Sequence, residues 1–226
     1  MRSIALLSSG LDSAVAFKMT YDITGVELAI TFDYGQRAVK KEVERAKAIC
    51  DRFQVRHEVI KLPWLKAITA TALVNKNAAV PTPAAADLDD IKGKALETAH
   101  LVWVPNRNGA FINIAAAYAD ALKIDQIVCG FNAEEGATFP DNTPAFVDAI
   151  NKSLHYSTEN HVKVIAPVIA LDKEQIIRKG IEIDAPLDLS WSCYYSREKP
   201  CGTCESCMRR ARAFKKFGSE DPSMRR

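Results

Sequence analysis

The stretch Ile4-Ala5-Leu6-Leu7-Ser8-Ser9-Gly10-Leu11-Asp12-Ser13 decides the fold of this chain. Its first four residues are a short apolar run, which predicts a buried strand, and the segment from Leu11 to Thr20 suits a helix. A loop between a strand and a helix can hold an anion with its backbone N–H groups and the helix N-terminus. The hydroxyls of Ser8 and Ser13 add donors, and Gly10 lets the backbone approach a phosphate closely. The stretch therefore predicts a phosphate-binding loop.

Asp12 is the unusual member of this loop, because a carboxylate beside phosphates repels them. Its presence is explained if it binds Mg²⁺, which also neutralises a pyrophosphate. The loop is not a Walker A loop, since it lacks Gly-Lys-Ser/Thr, and transfer of a γ-phosphoryl group is therefore disfavoured. On the pattern alone, an ordinary serine-capped helix is the alternative.

Outward from the loop, strand-like and helix-like segments alternate along the 226 residues. Residues 26–32, 55–62, 101–104 and 124–130 predict strands, 37–53 and 109–122 predict helices, and 146–154, 162–166 and 173–179 continue the alternation. This order predicts an α/β fold, a parallel sheet with helices on both faces and ligands outside the strand C-termini. Residues from about 75 to 94 interrupt it with prolines and then aspartates. They predict an exposed, mobile insertion, either an active-site lid or a long surface loop.

Four cysteines near the C-terminus, spaced C-x7-C-x2-C-x2-C, are typical of a closed zinc site: Cys193, Cys201, Cys204 and Cys207. Four thiolates at about 2.3 Å leave no open position on zinc, so the predicted role is structural. Free or disulfide-bonded cysteines are the alternative. With a closing helix over 206–217, the zinc-binding segment is predicted to be 186–226, packed on an α/β domain of 1–185. The other two cysteines, Cys50 and Cys129, are predicted to be buried hydrophobes.

Bulk properties exclude few classes of protein but favour some. The formal net charge of +2 does not demand a nucleic-acid or membrane partner, so we expect neither. The residues from Cys193 onward carry nine Lys and Arg against four Asp and Glu, an excess that a zinc–tetrathiolate of about −2 would balance. No apolar run approaches the ~20 residues that span a bilayer, and no signal peptide precedes the first strand, so we expect a cytoplasmic protein.

The loop resembles the pyrophosphate loop (PP-loop) of the N-type ATP pyrophosphatase superfamily, usually Ser-Gly-Gly-x-Asp-Ser, with Ser9 in place of the first glycine. Nearly the whole chain resembles the QueC/ExsB family of 7-cyano-7-deazaguanine synthases. The matching stretches are Phe32-Asp33-Tyr34-Gly35-Gln36, Val104-Pro105-Asn106-Arg107-Asn108, Phe139-Pro140-Asp141-Asn142, and Trp191-Ser192-Cys193-Tyr194 with the cysteines. Many members read Tyr-Pro-Asp-Cys-Arg-Pro at the third stretch, where this chain has Thr143 in place of the arginine.

The resemblance implies a fold of the adenine nucleotide alpha hydrolase-like (Rossmann-like) class with a small C-terminal zinc-binding knot. It also implies an ATP-dependent ligase that turns 7-carboxy-7-deazaguanine and ammonia into a nitrile through an acyl-adenylate and an amide, in queuosine and archaeosine precursor biosynthesis. The expected cofactors are one structural Zn²⁺ per chain and Mg²⁺ with ATP. The expected partners are these small molecules and a possible second copy in a homodimer.

The resemblance also assigns site residues. The nucleotide is expected on Ser8, Ser9, Gly10, Leu11, Asp12 and Ser13, with adenine or ribose contacts from Asp33 and Gln36. The substrate is expected on Arg107, Asn108 and Asp141. Asp12, Ser13 and Arg107 are the expected catalytic residues, because catalysis here consists of positioning and charge neutralisation.

Several of these residues also have ordinary structural readings. Arg107 could clamp a carboxylate or phosphate with its planar fork, or lie on the surface. Asn108 could instead be the N-cap of the helix that follows, and Asp141 could cap its own next helix. Glu134 and Glu135 could bind Mg²⁺, accept a proton from ammonia or form an exposed acidic loop.

The aromatic residues Trp191, Tyr194 and Tyr195 either stack on a planar base or pack against the zinc knot. The four histidines have no ligand spacing and receive no role.

Two other functions remain open from the sequence. A tRNA-thiolating enzyme of the same fold would need a sulfur-carrying cysteine near the nucleotide, and Cys129 is the candidate. A zinc-ribbon RNA-binding module would explain the basic C-terminal segment but neither the loop nor Asp12.

Overall fold

The computed structural model describes residues 1–84, 88, 90 and 93–225. Five parallel strands form one sheet in the order β3-β2-β1-β4-β5. They are β1 (Ser3–Leu6), β2 (Leu28–Asp33), β3 (Arg56–Lys61), β4 (Gln126–Val128) and β5 (Lys163–Ile165). The helices that the structure describes are α1 (Leu11–Thr24), α2 (Val39–Phe53), α3 (Pro63–Ile68), α4 (Lys94–Val102), α5 (Arg107–Leu122), α6 (Ala133–Gly136), α7 (Pro144–Ser157), α8 (Lys173–Glu182) and α9 (Glu205–Phe217), with 3₁₀ turns at Pro140–Asn142 and Pro222–Arg225.

Both faces of the sheet are buried, as the continuous apolar strands predict. Because successive strand residues point to opposite faces, Ile4 packs with α5 and α7 whereas Ala5 packs with α1, α2, α8 and α9. The two hydrophobic clusters therefore meet at the sheet, and the predicted parallel sheet covered by helices on both faces is confirmed. Within the described residues, no helix is both long enough and apolar enough to cross a membrane.

The strand order creates a switch point between β1 and β4. The chain passes from β1 to β2 and β3 on one side, and then crosses to β4 and β5 on the other. The loops after β1 and β4 consequently diverge at the same edge of the sheet, which leaves a crevice between them. In open parallel sheets this crevice is the ligand site.

Helix α8 delivers a lysine to this edge through its N-terminal cap. Asp172 and Gln175 form a reciprocal capping box, in which Asp172 Oδ1 accepts from the Gln175 N–H at 2.8 Å and Gln175 Oε1 accepts from the Asp172 N–H at 3.0 Å. Lys173 is the first residue after this cap and is buried at the N-terminus of the helix.

The prediction of a strand over 101–104 is wrong. These residues end helix α4 and enter the loop before α5. Val102, the last residue of α4, and Val104, in the loop, are both buried, whereas Leu101 is 56% exposed, so two buried valines two residues apart imitate the alternation of a strand.

The predicted insertion over about 75–94 falls partly outside the described residues, namely at 85–87, 89 and 91–92. Most of its described residues are exposed or partly exposed, as predicted, but Val80 and Leu88 are buried. Arg37 also ties its beginning to α2, because its guanidinium donates to the carbonyls of Asn75 at 2.8 Å and Ala78 at 2.5 Å. The insertion begins as a packed segment because these backbone acceptors are satisfied by a partly buried arginine.

Candidate active site

The predicted phosphate-binding loop lies in the crevice between β1 and β4. Ser8 Oγ lies 3.1 Å from Ser13 Oγ, and the Ser13 hydroxyl donates to the carbonyl of Gly10 at 3.0 Å. Gly10 occupies the N-cap position of α1 without a side-chain cap, so the N–H groups of the first turn are left for a ligand. This geometry suits an anion held by backbone donors and two hydroxyls.

Ser9 adopts the left-handed conformation that the loop requires. Its φ is +63°, it is completely buried, and its hydroxyl has no hydrogen-bond partner among the described residues. Its carbonyl accepts from the Trp191 N–H at 2.8 Å, which ties the loop to the segment before the cysteines. A side chain at positive φ is unfavourable, so the glycine that the resemblance leads one to expect here has a conformational reason.

Gly130 brings the end of β4 against the same loop. A Cβ atom at this position would lie 2.7 Å from the backbone nitrogen of Ser13 and 2.8 Å from its Cα. The two loops that border the crevice are therefore in direct backbone contact, and only glycine permits this approach.

A buried ion triad stands at the start of α1. The ammonium of Lys173 donates to Asp12 Oδ2 at 2.5 Å and to Glu135 Oε1 at 2.9 Å. Burial disfavours the ammonium, but the two carboxylates outweigh it and raise the pKa of Lys173. Burial likewise opposes ionisation of Glu135, and the Lys173 ammonium outweighs it and lowers the pKa of that carboxyl.

The negative charge of Asp12 is less well compensated by Lys173 than that of Glu135. Burial raises the pKa of Asp12 in spite of Lys173, and its Oδ1 is buried with no hydrogen-bond partner among the described residues. Because the triad carries two negative charges against one positive charge, it can accept a further cation through this free oxygen.

Sequence reasoning found Asp12 and weighed Glu135, but it missed Lys173, which lies 161 residues from Asp12 along the chain. One signal for Lys173 was available in the sequence. The spacing of Asp172 and Gln175 is typical of a capping box, which predicts that a helix begins at Lys173.

The triad and the loop border one cavity of about 290 Å³. Eight of the predicted site residues line it: Ser8, Gly10, Leu11, Asp12, Ser13, Gln36, Arg107 and Asn108. Ser9, Asp33 and Asp141 do not. Nucleotide loop and predicted substrate residues thus share one space.

Arg107 is the cavity's available cation. It is partly buried at the start of α5, and its Nη1 donates to the Tyr34 hydroxyl at 3.4 Å. Lys173 and Arg209 are paired with carboxylates that line the cavity, and Arg210 is paired with Asp221. Among the residues that the structure describes, Arg107 is the one lining cation without a carboxylate oxygen within 4 Å.

Asn108 and Asp141 meet away from their predicted capping positions. Asn106, in the left-handed region at φ +47°, is the N-cap residue of α5, and Asn108 donates to the Asp141 carbonyl at 3.3 Å. Thr143 caps α7 instead of Asp141, because its Oγ1 accepts from the Phe146 N–H at 3.2 Å. The capping readings of Asn108 and Asp141 are therefore wrong, and Thr143 has a structural role of its own.

Asp33 and Gln36 shape the turn after β2. Asp33 Oδ1 accepts from the Gly35 N–H at 3.0 Å. Gln36 is buried, its Oε1 accepts from the Tyr34 N–H at 3.0 Å, and its Nε2 donates to the Phe32 carbonyl at 2.8 Å and to Glu42 Oε2 at 2.7 Å. The side chain of Gln36 thus has a partner for its acceptor and for both donors.

The four C-terminal cysteines converge as predicted. Their sulfurs all lie within 4.8 Å of one another, and Cys201 Sγ lies 4.0 Å from Cys207 Sγ. Tetrahedral zinc–thiolate geometry requires sulfurs about 3.8 Å apart. The N–H groups of Cys201 and Cys204 point to Cys193 Sγ and Cys201 Sγ at 3.3 Å, as in a knuckle that holds thiolates. The donor set fits a structural zinc ion, and the structure, which describes all six cysteines, contains no disulfide between them.

The aromatic residues Trp191, Tyr194 and Tyr195 pack against the cysteines, as one of the two predicted readings requires, while stacking on a planar base stays a prediction. Trp191 and Tyr194 line the cavity, and both also pack in the cluster that contains the cysteines. The Trp191 indole N–H donates to the Cys193 carbonyl at 3.0 Å. The cysteine knot therefore supports one wall of the candidate active site.

Cys129 lines the cavity as well, at the end of β4. It is buried, and burial raises the pKa of its thiol, so it is a protonated apolar side chain and a poor nucleophile. This agrees with its prediction as a buried hydrophobe and disfavours Cys129 as the sulfur carrier that a thiolating enzyme would need.

Comparison with known proteins identifies relatives of the whole chain. The family model described as "Queuosine biosynthesis protein QueC" matches residues 2–218. The chain is 48% identical over 228 residues to the 7-cyano-7-deazaguanine synthase of Methanosarcina barkeri, an alignment that covers 100% of this chain and 99% of that protein. It is 51% identical over 213 residues to the 7-cyano-7-deazaguanine synthase of Carboxydothermus hydrogenoformans, covering 94% and 97% of the two chains. The enzyme of that name from Pelotomaculum thermopropionicum is 50% identical over 218 residues, covering 96% and 98%.

Proposed function

The chain belongs to the QueC family of queuosine biosynthesis proteins, and we propose that it converts 7-carboxy-7-deazaguanine and ammonia into 7-cyano-7-deazaguanine at the expense of two ATP. The observation that carries the proposal is the match along nearly the full chain to synthases of that name, together with one cavity that contains the loop, the Asp12 triad and Arg107. ATP would be split to AMP and pyrophosphate, as in the PP-loop superfamily that the loop resembles. The absence of the Walker A lysine agrees with this, because it disfavours γ-phosphoryl transfer.

The reaction needs two activations at one nucleotide site. A carboxylate oxygen of the substrate attacks the α-phosphorus of ATP, pyrophosphate leaves, and an acyl-adenylate forms. Ammonia attacks the acyl carbon, loses a proton and displaces AMP, which leaves an amide. The amide oxygen then attacks the α-phosphorus of a second ATP and displaces a second pyrophosphate. Two protons leave the nitrogen as AMP departs and the nitrile forms. The same loop and cavity can serve both steps, because AMP is the leaving group each time.

Arg107 would hold the carboxylate of the substrate. A planar guanidinium matches a carboxylate with two parallel hydrogen bonds, and Arg107 has no competing carboxylate within 4 Å in the described part of the chain. Held in this way, the oxygen that attacks phosphorus is oriented toward the loop, and this positioning lowers the barrier. Asn108 lines the cavity beside Arg107 and would add an amide donor.

The loop would hold the phosphates through the N–H groups of the first turn of α1 and the hydroxyls of Ser8 and Ser13. Asp12 and Glu135 would hold Mg²⁺, since carboxylate oxygens are its preferred ligands and Asp12 Oδ1 is buried without a partner. When bound, Mg²⁺ supplies charge neutralisation to the pyrophosphate leaving group. Lys173 would keep both carboxylates aligned beside the loop.

We propose that zinc holds residues 186–226 on the α/β domain of 1–185 through the four cysteines. Substituting Cys204 by Ser removes one thiolate, and because metal binding is coupled to folding, we expect loss of the zinc and a lower melting temperature. Zinc content and thermal melting of the variant measure this. A Cys204→Ser protein that keeps one zinc per chain and melts like the parent would contradict the assignment.

The proposal includes a cytoplasmic homodimer. Six free cysteines suit a reducing compartment. The exposed apolar side chains of Trp64 and Ile68 on α3 and Leu101 on α4 suit a contact between two copies. The Ala72 N–H, four residues after α3, donates to the Leu101 carbonyl and brings this part of the chain to the end of α4. Sedimentation velocity tests the dimer, and Ile68→Lys should shift it toward the monomer.

Product analysis by mass spectrometry tests the reaction. Zinc-loaded protein is incubated with 7-carboxy-7-deazaguanine, ammonium and Mg-ATP, and the expected products are the nitrile and about two AMP for each nitrile, as two activations require. Asp12→Asn should abolish both products. Asp22→Asn is the matched control, since Asp22 lies on the same helix but is exposed and paired with Lys18. AMP formation without nitrile would contradict the substrate assignment.

A further inference from the structure

We infer that Glu42 recognises the 2-aminopyrimidinone edge of the substrate, an inference that rests on the proposed function. Glu42 lies in the first turn of α2 and lines the cavity together with Tyr34, Gln36, Arg107 and Phe111. Asp141, which the sequence analysis assigned to the substrate, does not line the cavity, and its Oδ1 accepts from the Asn142 amide at 3.1 Å. Glu42 is thus the better placed acceptor.

The carboxyl of Glu42 is held in one orientation by a fixed amide. Gln36 must turn its oxygen toward the Tyr34 N–H, so its NH₂ group faces the Phe32 carbonyl and Glu42 Oε2, at 2.8 and 2.7 Å. Within the described residues, no Lys or Arg nitrogen lies within 4 Å of Glu42, and Gln36 is the one side chain that donates to it. The remaining acceptor positions of the carboxylate are therefore open to a ligand.

The ionised form of Glu42 is unfavourable in this position unless a ligand donates hydrogen bonds to its carboxylate. Burial raises the pKa of Glu42 to about 7, although Gln36 and Arg107 act in the opposite direction. The neighbouring wall is aromatic, because Phe111 stacks on Phe32 with ring centroids 4.0 Å apart and lies 5.6 Å from the ring of Tyr34. A desolvated acceptor beside flat aromatic surfaces suits a planar ring that brings its own N–H donors.

The chemistry of the ligand follows from this arrangement. A 2-aminopyrimidinone presents N1–H and the 2-amino group side by side, which is a fork of donors that matches a carboxylate. Adenine offers one exocyclic amino group beside ring acceptors, which a carboxylate repels. Glu42 therefore selects the donor edge of the deazaguanine ring, while Arg107 in the same cavity takes its carboxylate.

The test compares 7-carboxy-7-deazaguanine with the analogue that lacks the 2-amino group. We expect the parent enzyme to prefer the amino compound by on the order of 100-fold in kcat/KM, because a buried acceptor would otherwise be left unpaired. Glu42→Gln should lose most of this preference and raise the KM for the substrate, with the KM for ATP changed by less than about twofold. Glu44→Gln is the matched control, since Glu44 on the same helix is exposed and paired with Lys41.

Three outcomes decide between the possibilities. Full substrate preference in Glu42→Gln, or a raised KM for ATP alone, would overturn the inference. The parent could fail to form nitrile and yet, by calorimetry, bind the amino compound better than the analogue, while Glu42→Gln shows no such preference. This result would contradict the proposed function and leave the present inference standing. If Glu42→Gln does not fold, Glu42→Asp keeps the charge and should retain the preference with a raised KM, and an unchanged KM would refute the contact.

Discussion

Replacing Ser9 by glycine should stabilise the protein, because the parent loop contains two unfavourable features at this residue. The side chain lies at φ +63°, and its hydroxyl is fully buried without a partner in the described structure. A non-glycine residue in the left-handed region costs about 1–2 kcal/mol, and an unsatisfied buried hydroxyl costs about 1–3 kcal/mol. Glycine returns about 0.4–1 kcal/mol of this as greater freedom of the unfolded chain.

The expected net gain in the free energy of unfolding is therefore about 1–4.6 kcal/mol. At about 2–4 °C per kcal/mol for a chain of this size, the melting temperature should rise by about 2–18 °C. The Trp191 N–H to Ser9 carbonyl bond involves backbone atoms and is retained. The assay is calorimetric melting of the zinc-loaded protein without nucleotide, supported by urea unfolding.

Ser9→Ala separates the two contributions. Alanine deletes the hydroxyl but keeps the Cβ atom at positive φ, so it should gain only part of the stability that glycine gains. A Ser9→Gly protein that melts at or below the parent would refute the reasoning. Equal gains for alanine and glycine would show that the backbone conformation at this residue costs no more than the about 0.4–1 kcal/mol that glycine loses through the unfolded chain. The hydroxyl would then account for the gain.

Three further substitutions test the site. Lys173→Met leaves Asp12 and Glu135 without their shared cation, so urea unfolding should show a loss of about 3–5 kcal/mol and nitrile formation should fall sharply, while Lys173→Arg should lose less. Gly130→Ala places a Cβ 2.7 Å from the Ser13 nitrogen and should raise the KM for ATP with a stability loss of about 1–3 kcal/mol; an unchanged KM would contradict the backbone contact. Burial raises the pKa of Glu42, which faces Arg107 and Asp33, from an ordinary 4.5 to about 7 in the folded protein. The folded state therefore becomes less stable as the pH rises from 4.5 to about 7, because Glu42 ionises more readily in the unfolded chain. Glu42→Gln should thus match the parent in unfolding free energy at pH 4 and exceed it by on the order of 3 kcal/mol at pH 8, and a difference independent of pH would refute the shift.

The features that could be predicted from the sequence are those that depend on residues close together along the chain. The strand, loop and helix around Ser8–Ser13 and the four cysteines each depend on local spacing, and both are found as expected. The strand predicted over 101–104 failed because burial at alternate positions has more than one structural cause. There, one valine ends a helix and the other begins a loop.

The active-site partners could not be predicted in the same way, because they meet only through the fold. Lys173 reaches Asp12 across 161 residues, and it does so because the cap of α8 lies beside the switch point of the sheet. Glu42 was missed because a glutamate in the first turn of a helix is an ordinary feature. The fold places Glu42 beside Gln36 at the cavity, and this position cannot be read from the sequence.

The distribution of charge in the cavity explains why the loop contains an aspartate. The lining includes five carboxylates and four cations: Asp12, Glu42, Glu134, Glu135 and Glu205, and Arg107, Lys173, Arg209 and Arg210. Three of the cations are already paired, so Arg107 is the one that remains available among the described lining residues. Arg107 cannot neutralise both the triphosphate of ATP and the carboxylate of the substrate. On the proposed function, a metal ion that arrives with the nucleotide would be held by Asp12, whose unpaired Oδ1 is the oxygen available to it. The phosphate charge would then be neutralised by Mg²⁺, and Arg107 would be left for the carboxylate of the substrate.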